Sequence, residues 1–178
     1  MKRPQSASVH GIGDADLVSR ILDGDEKAKS TLVRRHAGPV ANVVARLLGS
    51  TDDAEDIVHD AFISAFRELD RLSDHGAFRS WLTRIAVHRT HNVLRRRKLE
   101  AKLGLRRAAP DATLELLADK GLDPEERAQL AELDRILDSL SAKHRMAWIL
   151  RYVEGYSLKE VASLCDCSLT TIKRRIDA

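Results

Sequence analysis

Apolar residues recur along this chain at three- and four-residue spacing, the period of a buried helix face. A first pattern runs from Asp16 to Leu22 and is followed by Gly24-Asp25. A longer one runs from Ala28 to Leu48 through Leu32, Val33, Val40, Val43, Val44 and Leu47, and ends at Gly49. Ser50-Thr51-Asp52 then offers side-chain oxygens to the unpaired N–H groups of a new helix. That helix places Ile57, Val58, Ala61, Phe62, Ala65, Phe66 and Leu69 on one face. Ser73-Asp74-His75-Gly76 reads as a loop, and Phe78, Trp81, Leu82, Ile85 and Ala86 form the next apolar face. On this spacing Phe62, Phe66 and Trp81 are expected in the core.

The regularity fails over 99–122, where Gly104, Pro110 and Gly121 interrupt one short patch at Leu114, Leu116 and Leu117. It resumes at Asp123-Pro124-Glu125-Glu126. These supply an N-cap, a proline at the first helical position, and acids where the helix dipole favours them. Leu130, Leu133, Ile136, Leu137 and Leu140 are its expected core face, and a further helix spans about 143–153 before Gly155. The pattern predicts an all-α chain. A mobile tail, 1–13, precedes two small helical domains, 14–98 and 123–178, which are joined by a flexible linker, 99–122. The second domain has only about 55 residues, so modest stability is expected of it.

The end of the chain holds more specific chemistry. Ser157-Leu158-Lys159-Glu160 fits a capping box, in which the Ser157 oxygen accepts the Glu160 N–H and the Glu160 carboxylate reaches back. Val161, Ala162 and Leu164 face inward, Cys165-Asp166-Cys167 breaks the helix, and Ser168 caps another. Ile172 and Ile176 anchor that last helix, with Thr170, Thr171, Lys173 and Arg174 outward and Arg175 at the flank. A helix, a tight turn and a basic second helix describe a helix-turn-helix, whose second helix enters the major groove. Lys and Arg can bond guanine O6 and N7 there, and Thr can meet either base edge or a thymine methyl. The plainer reading is a helical hairpin with a solvated basic face.

Composition agrees with helices: 43% hydrophobic residues permit a core, and only 4% are aromatic. No run of about 18 apolar residues exists to span a membrane. MKRPQSASVHGIGD has basic residues but no apolar stretch, so it is not a secretory signal. Two cysteines make no disulfide framework, and a reduced, cytoplasmic setting is expected.

Net charge is only +3, but its distribution is uneven. From Arg84 to Arg107 stand nine Lys/Arg and one acid, Glu100; from Leu47 to Phe66 stand five acids and no Lys or Arg. A basic stripe suits an anionic partner and an acidic one a basic partner, unless both are solvated faces.

Catalytic and metal chemistry finds little support. The single Cys-x-Cys lacks the second pair of a structural zinc site. Asp56-Ile57-Val58-His59 matches one carboxylate-x-x-His element of a di-metal bundle, but no second occurs. There is no Gly-x-Ser-x-Gly, Walker loop or His-Glu-x-x-His. No metal, no cofactor and no enzymatic activity is expected.

Three stretches in order resemble a known family. DAEDIVHDAFISAFRELDRL resembles region 2.2, GAFRSWLTRIAVHRTHNVLRRRK regions 2.3 and 2.4, and LSAKHRMAWILRYVEGYSLKEVASLCDCSLTTIKRRI region 4, of bacterial sigma-70 factors of the extracytoplasmic-function (ECF) group. The resemblance implies a protein that binds core RNA polymerase and directs it to promoters. The first domain would engage and open the −10 element, and the second would read −35 as duplex.

In such proteins the region 2.2 helix docks on the β′ clamp helices, which here implicates Asp52, Asp53, Glu55, Asp56 and Asp60. The second domain would meet the β flap. The −35 residues would be Ser168, Thr170, Thr171, Lys173, Arg174 and Arg175. The −10 set would be Asp74, His75 and Gly76 of the loop with Arg84, His88, Arg89, Asn92, Arg95 and Arg96. The loop, His88 and Asn92 would build the pocket for a flipped base, whose contacts must offset a few kcal/mol of unstacking.

His88 stands where relatives often carry Asn, so a different −10 base preference is expected. Ser141 replaces a usual Pro, and should alter only a helix start. Relatives usually extend the last helix beyond the position of Ala178, so its end is expected to fray. An anti-sigma factor is a further expected partner. The competing functions are a helix-turn-helix regulator of closed duplex DNA and a helical metal enzyme.

Overall fold

The computed structural model describes residues 12–51, 53–105 and 123–177, and among them every regular element is helical. Helix α1 (Asp14–Leu22) turns at Gly24 into α2 (Glu26–Leu48). The Asp25 carboxylate caps α2 by accepting the Lys27 and Ala28 N–H groups at 2.9 and 3.3 Å. At the far end Gly49, with φ of 70°, adopts the left-handed conformation that closes the helix.

Helix α3 (Ala54–Arg67) does not use the cap expected of it. Asp53 holds the N-cap position without a capping bond, because its carboxylate reaches Arg97 instead. Asp52 lies outside the described residues. Two single 3-10 turns, Leu69–Arg71 and His75–Ala77, lead into α4 (Phe78–Lys102), a rod about 37 Å long at 1.5 Å per residue. Helix α4 runs past residue 98 because Leu99, Glu100, Ala101 and Lys102 are good helix formers and no breaker precedes Gly104. Residues 106–122 of the expected linker lie outside the described residues.

The four helices close on one core. Leu17, Val18, Leu32, Val44, Leu48, Ala61, Leu82 and Ala86 are fully or almost fully buried. Phe78 sits at the centre, with its ring 5.7 Å from His36, 6.2 Å from Phe66 and 6.3 Å from Trp81. Phe62 is buried, whereas Phe66 and Trp81 are half-buried at the margin of this core. His36 is buried against the Asp14 carboxylate at 2.7 Å, which ties α1 to α2.

The C-terminal unit begins with α5 (Pro124–Ser139), where Asp123 and Glu126 form the capping box of their two side chains and N–H groups. The expected apolar face of α5 is mostly not a core face. Leu137 is buried, but Leu133 is 38% and Ile136 54% exposed. Among the described residues, α5 contributes only Leu137 to the buried apolar side chains, and none to the cluster formed by the three short helices that follow.

Those three are α6 (Ala142–Trp148), α7 (Leu158–Leu164) and α8 (Leu169–Ile176). After α6 the backbone widens into a π turn, Ile149–Val153, rather than continuing as α-helix. The wider turn lets Ile149 and Leu150 both face inward, where they meet Met146, Val161, Leu164 and Ile172.

The two units touch. Helix α4 packs on α6 and α7, and the buried apolar residues of both units form one continuous cluster. Ion pairs of Arg46 with Glu154, and of Arg84 with Asp166 at 2.6 Å, cross the boundary.

Candidate nucleic-acid and polymerase interfaces

The turn between α7 and α8 explains the paired cysteines. Asp166 has φ of 51°, a left-handed conformation that Asp tolerates better than most residues. The Cys167 N–H donates to the Ala162 carbonyl at 3.0 Å and the Asp166 N–H to that of Ser163 at 3.3 Å. These two bonds are a Schellman closure, which satisfies the last carbonyls of α7. Cys165 is the C-cap residue of that helix through its backbone N–H; its thiol is half-buried, and burial pushes its pKa up to about 11. A thiol raised this far is protonated at neutral pH and packs as a small apolar group. Among the described residues no three His, Cys, Asp or Glu side chains gather as metal ligands, and Asp56 and His59 belong to no such group.

Both helices start as the sequence predicts. The Ser157 N–H donates to Glu160 at 2.7 Å and the Glu160 N–H to Ser157 Oγ at 3.3 Å. Hydrogen bonding with Ser157 lowers the Glu160 pKa. At α8 the Ser168 hydroxyl accepts the Thr171 N–H at 3.1 Å and pairs with the Thr171 hydroxyl at 2.8 Å.

The six residues expected to meet −35 DNA therefore divide by role. Thr170, Lys173 and Arg174 are exposed on one helix face at three- and four-residue spacing. They carry no ion pair among the described residues, while Ile172 behind them is fully buried. Ser168 and Thr171 cap the helix. Arg175 is half-buried and turned toward α4.

The expected −10 residues are more dispersed. Asp74 accepts the Gly76 N–H at 3.0 Å, which shapes the His75–Ala77 turn, and His75 Nδ1 lies 3.1 Å from the Ser19 hydroxyl. Along α4, His88 stands ten residues beyond Phe78, roughly 15 Å at the helical rise. His88 lines a cavity of about 210 Å³ with His91, Lys143, Asp166 and Arg175. Asn92, Arg95 and Arg96 lie one turn further along, in a cleft of about 650 Å³ between α4 and the start of α6. Arg84 is held by Asp166.

Arg89 donates to Asp60 at 3.2 Å and to Ser64 Oγ at 2.6 Å, so it braces α3 against α4. The acidic helix is correspondingly less free than its sequence suggests. Asp53 and Asp60 are engaged by Arg97 and Arg89, whereas Glu55 and Asp56 are exposed with no ion pair among the described residues. Glu55 rims an apolar groove of about 570 Å³ between α2 and α3, floored by Ala37, Gly38 and Ala41 and flanked by Phe62 and Ile63.

Sequence reasoning missed four basic residues. His91, Lys98 and Lys102 continue the Arg95 face of α4, and Lys143 of α6 joins them in the same cleft. The first three were legible in the spacing 91, 95, 98, 102, a single helix face. Lys143 was not, since only packing brings it there. Burial, then repulsion from the Lys143 and Arg95 charges, lowers the His91 pKa from its usual 6.5.

No helix among the described residues is long and apolar enough to cross a membrane. The family profile "Sigma-70 region 2" matches residues 32–100, and "Sigma-70, region 4" matches 130–177. The chain is 34% identical to the ECF RNA polymerase sigma-E factor of Escherichia coli (strain K12), over 92% of this chain and 88% of that one. It is also 34% identical to the sigma-E factor of Haemophilus influenzae, over 92% and 89%.

Among solved structures, CnrH in complex with the cytosolic domain of CnrY is similar, with a TM-score of 0.61, 27% identity, and coverage of 92% of this chain and 90% of that one. The fold is shared with the sigma factor RpoE from Bartonella quintana, solved with the anti-sigma factor NepR, with a TM-score of 0.58, 23% identity, and coverage of 83% and 89%. The two matched regions, their order and the identity across nearly the whole chain place this protein in the extracytoplasmic-function sigma factors of the sigma-70 family, which direct RNA polymerase to start transcription at specific promoters.

Proposed function

We propose that α8 reads the −35 element through Thr170, Lys173 and Arg174, that α4 and the 73–76 loop engage the −10 element, and that α3 docks on the β′ clamp helices. The exposed, ion-pair-free face of α8 carries this reading. Cations with no ion pair among the described residues, on a helix whose other side is anchored by a buried Ile172, suit major-groove DNA. Arg95 and Arg96 supply phosphate contacts in the α4 cleft, and Arg89 acts mainly by bracing α3. Glu55 and Asp56 are the acids available to the clamp, with Asp53 and Asp60 holding α3 in place. The exposed Leu133 and Ile136 of α5 offer an apolar face to the β flap.

The chain works in the cytoplasm, where its polymerase is, and without catalytic chemistry of its own. An anti-sigma factor is a partner of the kind seen with NepR in the Bartonella structure. A regulator of closed duplex would account for α8 but leave the acidic α3 without a task.

The test is transcription with core polymerase and a library of promoter sequences. The native chain should yield promoter-dependent transcripts that core alone does not, and their absence would defeat the proposal. Asp56→Lys should weaken core binding by at least about tenfold, since a reversed charge meets a like-charged partner. If Asp56→Lys binds core normally, the clamp assignment on α3 is wrong.

A further inference from the structure

The cleft between α4 and the start of α6 gathers cations around a space of about 650 Å³, within the size range of pockets that hold small ligands. His91, Arg95, Lys98 and Lys102 stand on one face of α4, and Lys143 faces them from α6. Among the described residues no carboxylate lines this cleft. Arg96, also in the lining, pairs with Glu100 at 3.5 Å. Arg95, Lys98, Lys102 and Lys143 are exposed and have no ion pair among the described residues.

Elsewhere α4 is better matched, since Arg84, Arg89 and Arg97 each meet an aspartate. The cleft is where its positive charge stays uncompensated. After burial, the Lys143 and Arg95 charges are what push the His91 pKa below its usual 6.5. Like charges brought together from two helices repel, and an anion between them would offset that cost. One phosphate carries at most about two negative charges. From Arg95 to Lys102 is roughly 10 Å along the helix, too far for one phosphate to touch both ends. A chain of linked phosphates supplies both the charge and the length, and is narrow enough to enter where a DNA duplex is not. Lysine ammonium groups and an arginine fork are the donors that phosphate oxygens take. Leu99, 58% exposed in the same lining, offers an apolar surface on which a nucleoside attached to the phosphates would rest.

We propose that this cleft is a binding site for an oligophosphate, inorganic or carried by a nucleoside, held by Arg95, Lys98 and Lys102 of α4 and Lys143 of α6. Its occupant lies against Arg95 and Arg96 and so shields the cations proposed to meet promoter DNA. That consequence rests on the promoter assignment of α4; the site itself does not.

The experiment is calorimetric titration of the full chain, in magnesium-free buffer at fixed ionic strength, with sodium tripolyphosphate, guanosine triphosphate and sulfate. Tripolyphosphate should bind at a single site, at least about tenfold more tightly than sulfate. Lys143→Ala and Lys102→Ala, at exposed helical positions where alanine is well tolerated, should each weaken it about tenfold, the loss of one charge-assisted hydrogen bond. Lys27→Ala, at an exposed position of α2 outside the cleft, should leave the affinity unchanged. Far-ultraviolet circular dichroism of each variant separates loss of ligand from loss of fold.

Tighter binding of guanosine triphosphate than of tripolyphosphate would make the nucleoside part of the ligand, and Leu99→Ser should then abolish the difference. Equal or weaker binding would assign the site to phosphates alone. Sulfate that binds as tightly as tripolyphosphate, or equal losses in Lys27→Ala and Lys143→Ala, would show only a diffuse positive surface and overturn the inference. Failure of the native chain to bind tripolyphosphate would overturn it too. Absence of promoter transcripts from the native holoenzyme would instead defeat the functional assignment, while calorimetry would still report the site.

Discussion

In the N-terminal unit, the acids of α3 and the arginines of α4 face each other: Asp53 meets Arg97, and Asp60 meets Arg89. In the C-terminal unit, Lys173 and Arg174 of α8 meet no carboxylate among the described residues. Both regions look equally charged along the chain. The first uses much of its charge to join two long helices around a shared core. The second leaves its charge outward on a short helix anchored by one fully buried Ile172. A charged helix is thus a docking surface only to the extent that its neighbours do not neutralise it, and neighbours are set by packing. The difference also separates roles within one predicted site, because Asp56 is available where Asp60 is braced.

The comparison can be broken most strongly at the core. Phe78→Ala, in the fully buried centre of the first unit, should cost about 3–5 kcal/mol in a denaturant titration. It should lower α4 helicity and polymerase binding together, so a loss below about 1 kcal/mol would show that the aromatic cluster is not the keystone of that unit.

Lys173→Ala and Arg174→Ala should leave stability nearly unchanged but weaken −35 duplex binding by about 1–3 kcal/mol each. If binding falls equally for all sequences and only the salt slope changes, these residues contact phosphate rather than bases. Ser168→Ala removes the α8 cap and should cost about 1 kcal/mol of stability, seen as a lower melting temperature.

The smallest effect should come from pH. His91 of α4 faces Lys143 of α6 and Arg175 of α8, beside Arg95 and His88 on its own helix, with Asp166 and Cys165 in the same cavity wall. Its pKa is lowered when the units are packed, so the packed state binds fewer protons than the parted one. Packing should be strongest above pH 6.5 and weaken as pH falls through the lowered value. Scattering profiles that stay the same between neutral and mildly acidic buffer would remove His91 from the interface energetics.

Much of this was legible in local sequence. Capping boxes at Asp123 and Ser157 and the cap at Ser168 need only residues three apart, so they are read directly. The Cys165-Asp166-Cys167 break is equally local, since a Schellman turn closes within six residues. The face of α5 was misjudged because periodicity reports which residues can be buried, not whether a partner exists to bury them. The start of α3 falls one residue beyond the expected Ser50-Thr51-Asp52 cluster, at Asp53, whose carboxylate is engaged by Arg97 forty-four positions away.

The sequence alone therefore determined the helical class, the family and the recognition helix, because each rests on short-range spacing or on an ordered set of motifs. Only the tertiary structure decided which charges remain free, that Lys143 joins the α4 cleft, and that Arg84 and Arg175 face the same boundary between units. Those facts depend on the path of the chain between distant residues, and side-chain periodicity carries no record of that path.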